Sequence, residues 1–301
     1  MDRSAAPLIL RLALVALLVL AAPFAAAAEE RFASGLLWKI GKPGVKPSYV
    51  FGTLHASDAR LSALPPPVDR AFARARSLTL EFIADEYGRQ RFLEAAIFLD
   101  LQTLEEKIGG EDFERVVERL APLDLKREFV AKLKPWGVLL NLRNARAESA
   151  AATMTIDGLL YDRARARRLP LHQMEGIEEQ VYVFDDFPMD SQVALLKHSL
   201  AHYDELTAMS EKTLQAYLAR DLAGLWRVQE QFVARYPEIA RHNAGFVKRI
   251  LHDRNVVMAF RMQRQLRKGE AFVALGALHL YGEKGVLALL VEDGWKVARI
   301  Y

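Results

Sequence analysis

The chain has 301 residues, 51% of them hydrophobic and 26% charged, the balance of a folded protein with a sizeable core rather than a disordered one. Lys and Arg number 41 against 38 Asp and Glu, and the resulting formal charge of +3 is too small to steer a polyanion, which argues against a nucleic-acid partner. Cysteine is absent, so disulfides, thiolate metal sites, iron–sulfur clusters, Cys nucleophiles and Cys-linked lipid anchors are excluded, and any metal site must use His, Asp or Glu.

Residues 1 to 28 read as a cleavable signal peptide. Arg3 and Arg11 lie beside the apolar run Leu12 to Leu20, the helix-breaking Pro23 follows, and Ala25-Ala26-Ala27 offers a small-residue cleavage site before Glu29-Glu30. Such a leader predicts a periplasmic or secreted protein. A retained anchor is the competing expectation, because Pro7 to Ala28 is apolar apart from Arg11; membrane contact would then run through this segment alone. No later stretch is long and apolar enough to span a bilayer, so residues 29 to 301 are expected to form one exported domain.

Leu36 to Ile40 and Ser48 to Phe51 are short β-prone runs around a turn rich in Gly and Pro, which predicts a hairpin. Pro65-Pro66-Pro67 introduces a short helix over Val68 to Arg76, and Leu78 to Ile83 reads as a strand carrying Glu81. From Glu86 to about Ala152 apolar residues recur at spacings of three and four, as in Phe113, Val116, Val117 and Leu120, and predict helix. Ile156 to Arg168 continues as a helix, with Arg163, Arg165, Arg167 and Arg168 clustered at its end before Pro170. Leu171 to Met174 is a candidate strand followed by Glu175.

Helices are then expected from Ser191 to about Met262, with breaks near Ser210, Asp221, Pro237 and His242. Ala271 to Leu275 is an apolar run of strand length, Glu283 to Asp293 reads as helix, and Trp295 to Tyr301 as an alternating strand. Strands near both ends and helices between them predict a single α+β (α/β-like) domain: a central mixed sheet built by the N- and C-terminal segments, with a large helical middle region.

One short echo carries chemistry. Val50-Phe51-Gly52-Thr53-Leu54-His55 and Ala274-Leu275-Gly276-Ala277-Leu278-His279 are both an apolar strand followed by G-x-L-H. A Gly at a strand exit permits a sharp turn or a close backbone approach, and the His three residues on sits at the mouth of the sheet, where open α/β sheets bind ligands. Two imidazoles converging there with Glu81 would give a His, His, carboxylate set with open coordination positions. That ligand chemistry suits zinc, manganese, iron or cobalt. The alternative is that His55 and His279 are structural, each capping its turn.

Other residues are weaker candidates. His198 and His202 are four apart on a helix, but Ser199 follows the first, so the H-E-x-x-H pattern fails. Asp185-Asp186 is expected as a solvated loop pair before Pro188. Glu175 follows a strand and can reach the same sheet edge, while Arg254, beside Asn255, can hold a carboxylate or an oxyanion.

Trp38-Lys39-Ile40, Tyr49 to His55, Leu80-Glu81, Arg254-Asn255-x-x-Met258 and Gly276-Ala277-Leu278-His279-Leu280-x-Gly282-x-x-Gly285-Val286 together resemble the TraB/GumN family, which includes the TIKI metalloproteases. Asp157, Gln173-Met174-Glu175 and Glu179-Gln180 are similar to the family's central block. The resemblance implies an erythromycin esterase/ChaN-like fold and places a divalent ion (Mn, Co or Zn) on His55, Glu81 and His279. Glu175 is then a proton-transfer or supporting group, and Arg254 a stabiliser of negative charge. It implies a metal-dependent hydrolase, foremost a peptidase acting on a peptide or other small substrate. A non-catalytic ligand- or metal-binding envelope protein associated with polysaccharide export is the rival, because one fold hosts several chemistries. Oligomeric state is not legible.

Overall fold

The computed structural model describes residues 32–56, 58–83, 85–145 and 154–301. The expected leader at 1 to 28 lies outside the described residues, as does the expected helical stretch at 146–152.

The chain starts with the expected hairpin, β1 (Leu37–Lys42) and β2 (Val45–Thr53), in antiparallel register with Trp38 opposite Val50. Its turn places Gly44 at φ +77° directly after Pro43, the pairing that suits the central positions of a type II turn. Helix α1 (Pro66–Ala73) follows, then β3 (Ser77–Leu80). The middle is helical: α2 (Glu86–Ala95), α3 (Leu104–Ile108), α4 (Gly110–Leu120), α5 (Arg127–Lys132), α6 (Pro135–Ala145) and α7 (Ile156–Ala166). After β4 (Leu171–Gln173) come α8 (Ile177–Asp185), α9 (Met189–Ala201), α10 (Tyr203–Leu218), α11 (Leu222–Arg235) and α12 (Pro237–Val247). A π-helical turn, Lys248–Asp253, leads into α13 (Arg254–Lys268), and β5 (Ala271–Gly276), α14 (Val286–Glu292) and β6 (Lys296–Arg299) close the fold.

These strands form one six-stranded mixed sheet in the order β4-β3-β5-β2-β1-β6. The neighbours β4/β3, β3/β5 and β5/β2 are parallel, whereas β1 pairs antiparallel with both β2 and β6. The architecture is therefore the expected α+β domain, its sheet drawn from both chain ends apart from the outermost strand β4, which comes from the middle of the chain. Covered on both faces, β5 is an unbroken apolar run buried from Ala271 to Leu275. Phe272 packs against Phe51 and Phe72 with ring centroids 6.1 and 5.3 Å apart, joining strands to α1. A second core of Leu104, Phe113, Val116, Leu142, Leu196 and others sits inside the helical insertion.

Several boundaries differ from expectation for local reasons. Ser210 does not break α10, because its hydroxyl bonds back to the Leu206 carbonyl at 3.0 Å and satisfies itself within the helix. His242 lies inside α12, its Nδ1 2.8 Å from Ser191 Oγ; the interruptions fall instead at His202 and at the π-helical turn. Helix α14 starts at Val286, not Glu283, after a turn with Gly282 at φ +87°. Strand β3 stops at Leu80, which leaves Glu81 just past its end. The basic cluster at the end of α7 serves the fold: Arg167 donates to the carbonyls of Phe72, Ala73 and Ala75, capping α1, and Arg163 pairs with Asp69.

Gly52 shows how tightly the two echo motifs pack. A Cβ there would stand 2.7 Å from Leu280 Cδ1 and 3.0 Å from Ala277 Cα. Gly52→Ala is expected to destabilise the fold by about 1–3 kcal/mol through overpacking, read as a lowered Tm; an unchanged Tm would show that the two segments separate freely.

Candidate functional site

Parallel strands release the chain at a common edge, and β2, β3, β4 and β5 all do so here. Thr53 pairs with Gly276 and Leu80 with Gln173. The residues just beyond, namely His55, Glu81, Glu175 and His279, therefore gather at one carboxyl edge of the sheet.

The two imidazoles from opposite ends of the sequence meet on one oxygen. His55 Nε2 is 3.8 Å and His279 Nε2 3.7 Å from the same Glu81 Oε1. That oxygen also accepts the Gly276 N–H at 2.5 Å. On its other side, His55 Nδ1 lies 3.0 Å from Asp157 Oδ2, and Asp157 Oδ1 accepts the Thr53 hydroxyl at 3.0 Å. His279 Nδ1 is 2.6 Å from Asn255 Oδ1. The site opens at His55, whose side chain is 48% exposed, while His279 and Glu81 are buried.

Behind them lies a buried charge cluster. Arg254 Nη2 donates to Glu81 Oε2 at 2.7 Å and to Glu175 Oε2 at 2.6 Å, its Nε reaches Glu175 Oε1 at 2.9 Å, and its Nη1 donates to the Ile250 carbonyl at 3.0 Å. Gln180 Nε2 adds a 2.6 Å bond to Glu175 Oε2. The π-helical turn makes this placement possible, because the wider turn re-aims the residues that follow it and delivers Arg254 and Asn255 side by side into the edge. The Glu175 N–H donates to the Glu81 carbonyl at 2.9 Å, locking the two strand exits together.

The electrostatics are unequal. Burial alone would lower the His55 pKa, but the neighbouring carboxylates of Asp157 and Glu81 outweigh burial and push it up to about 10; the half-exposed ring lets water screen part of that pull. Burial drives His279 down to about 4, and Glu81 opposes this only in part. Burial would raise Glu81, yet His279, His55 and Arg254 hold it well below the usual carboxylate range. With His279 neutral near pH 7, that pull comes from the Arg254 guanidinium and from His55.

These residues fit a divalent ion. Two imidazoles and a carboxylate are the right donors for manganese, cobalt or zinc. Among the described residues no three His, Asp or Glu side chains are already closed around a common point. The separations of 3.7 and 3.8 Å are a few tenths of an ångström wider than the roughly 3.3 Å that tetrahedral bonds of about 2.0–2.1 Å require. Gly276 leaves the space: a Cβ there would stand 3.3 Å from Glu81 Oε1, 3.4 Å from His279 Cδ2 and 3.6 Å from His55 Nε2.

The remaining sequence candidates lie elsewhere. His198 and His202 stack at 4.4 Å between centroids against Tyr236 and Phe232, near Glu238 and Glu205. Burial, with His202 beside it, lowers the His198 pKa, as expected of a packed neutral ring. Asp185 and Asp186 are solvent-exposed as expected, but they close the end of α8 rather than lying in a loop. Asp185 accepts from Lys134 and Trp136 Nε1, and Asp186 from Arg249. A cavity of about 190 Å³, lined by Trp226, Leu251, Tyr281 and their neighbours, touches the site only through Asn255.

From sequence, Asp157 and Asn255 had no role of their own, although both stood inside resemblance blocks; their signal was an acid in the first turn of a helix and an amide adjacent to Arg254. The close backbone approach expected of the motif glycine is seen at Gly276, whose N–H meets Glu81.

A model of the TraB/PrgY/gumN family matches residues 36–299. Two relatives, each named uncharacterized protein YbaP, are similar over 253 residues: 23% identical in Shigella flexneri and 22% in Escherichia coli (strain K12), covering 82% of this chain and 89% of each relative. No solved structure matches significantly.

Proposed function

The chain belongs to the TraB/PrgY/gumN family, and from its paired-histidine edge we propose that it is an exported, metal-dependent hydrolase acting on peptides. The observation that carries this reading is the approach of His55 Nε2 and His279 Nε2 to one oxygen of Glu81. The export half rests on the leader pattern of residues 1 to 28.

His55, Glu81 and His279 would hold the ion, which when bound supplies Lewis-acid polarisation of a scissile carbonyl. Every other part is the chain's own. Arg254 and the Gly276 N–H fix both oxygens of Glu81, so the carboxylate does not swing away from the pocket. Glu175 holds Arg254 in turn and is itself held by Gln180. On this reading Arg254 and Glu175 act as supports for Glu81 rather than as groups that meet substrate. His55 is the exposed member and forms the rim that a substrate meets first.

A library of peptides and esters incubated with manganese-, cobalt- or zinc-loaded protein tests this. Wild type is expected to cleave at least one substrate class, with turnover falling roughly 100-fold or more in Glu81→Gln. Cleavage that survives a strong chelator would overturn the metal dependence. Bound metal without turnover across the library would favour the envelope-binding reading instead.

A steric variant tests the pocket without touching a ligand. Gly276 has φ −54° and ψ 135°, which any residue adopts, so the effect of Gly276→Val comes from volume. We expect it to lose stoichiometric metal uptake while its far-UV circular dichroism stays native. Full uptake in this variant would place the ion elsewhere.

A further inference from the structure

We infer that Asp157 and Asn255 are positioning residues that dictate which nitrogen each site histidine presents to the pocket. Asn255 Nδ2 donates to the Lys284 carbonyl at 2.8 Å. A carbonyl only accepts, so the amide's orientation is fixed and Oδ1 is the atom that faces His279 Nδ1 at 2.6 Å. Oδ1 in turn only accepts, so Nδ1 must carry the proton. The neutral ring then has its lone pair on Nε2, pointing towards Glu81 and the pocket. Asp157 orients His55 with a charged group: one oxygen accepts the Thr53 hydroxyl and the other stands 3.0 Å from Nδ1 as an ion pair, so the proton that the charged ring gives up to an incoming cation is the one on Nε2. Oxygen acceptors behind metal-facing imidazoles fix ring orientation and tautomer, and losing one costs about 10–100-fold in metal affinity.

The pair is asymmetric for a physical reason. An aspartate at 255 would set its second oxygen against the Lys284 carbonyl at the 2.8 Å now spanned by an N–H. Asparagine is therefore the residue that satisfies both neighbours. At 157 the partner on the far side is a hydroxyl, which rotates to donate or accept, so an amide or a carboxylate serves there.

Two measurements test this: histidine side-chain ¹⁵N NMR on the metal-free protein, and calorimetric titration with zinc alone, with Tm recorded for each variant. Wild-type His279 is expected as the Nδ1–H tautomer. In Asn255→Ala the remaining acceptor is Glu81 Oε1, 3.7 Å from Nε2, so the ring should move to the Nε2–H form and zinc affinity should fall roughly 10–100-fold. Asn255→Asp should not rescue. Asp157→Ala should weaken zinc by a similar factor, while Asp157→Asn keeps the acceptor and most of the affinity. An unchanged His279 tautomer in Asn255→Ala, or Asp157→Asn as weak as Asp157→Ala, overturns the inference. The affinity measurement rests on the metal reading and the tautomer measurement does not. A wild type that binds no zinc thus removes the former reading, while NMR still decides this one. Should Asn255→Ala fail to fold, the partly exposed Asp157 pair carries the decision.

Discussion

Purified His279→Ala protein is expected to contain no manganese, cobalt or zinc, where wild type is expected to retain about one ion per chain, both read by elemental analysis. The reason is geometric. In the proposed site His279 would be the buried ligand, 4% exposed, its neutral ring offering Nε2 to the point shared with Glu81 and His55. Removing it leaves one imidazole and one carboxylate, and the carboxylate is already engaged by Arg254 and Gly276. Two ligands, one of them on the half-exposed rim, do not retain an ion through purification. The substitution also strands Asn255 Oδ1, so Tm must be recorded beside metal content: a folded, metal-free variant supports the site. Metal content equal to wild type would remove the proposed mechanism outright.

The second large effect belongs to Arg254. Arg254→Met is expected to destabilise the protein by roughly 3–5 kcal/mol, because it leaves two glutamates buried without their counter-charge. Glu81 and Glu175 have side chains only 11% and 3% exposed, so water cannot replace the guanidinium. Exposed pairs such as Arg89–Glu86 or Arg127–Glu114 belong to the class worth at most about 1 kcal/mol. Arg254→Lys keeps the charge but not the fork that serves both carboxylates and the Ile250 carbonyl, and should recover only part of the loss. Adding Glu175→Gln to Arg254→Met removes one of the stranded charges and should restore some stability, which separates charge burial from lost packing. Urea denaturation reads all of these as shifts in midpoint; an unchanged midpoint for Arg254→Met would mean that the buried charge cluster does not contribute to stability.

How much of this was legible follows from what each signal depends on. Strands β1, β2, β5 and β6 came from apolar runs and the Pro-Gly turn, which are local properties. Helix boundaries were less legible: Ser210 looks like a break until its back-bond to Leu206 is seen, and the π-helical turn at Lys248–Asp253 has no composition signal at all. Of the site, the G-x-L-H echo identified His55 and His279, and the acid after β3 identified Glu81. The link from Arg254 to both Glu81 and Glu175 spans 173 and 79 positions, and no periodicity reports a pairing of that kind.

The sequence by itself determined the class of fold, the donor chemistry open to the site and the residues able to supply it, because those follow from composition, period-two runs and a repeated motif. It did not decide that the four parallel strands end at one edge, which is a property of strand order and direction. Nor did it decide that His279 is neutral and buried while His55 is charged and at the rim, although the two motifs look alike. That inequality comes from the Asp157 carboxylate of α7 beside His55 and from the deep burial of His279. Burial and through-space charge exist only once distant segments are brought together.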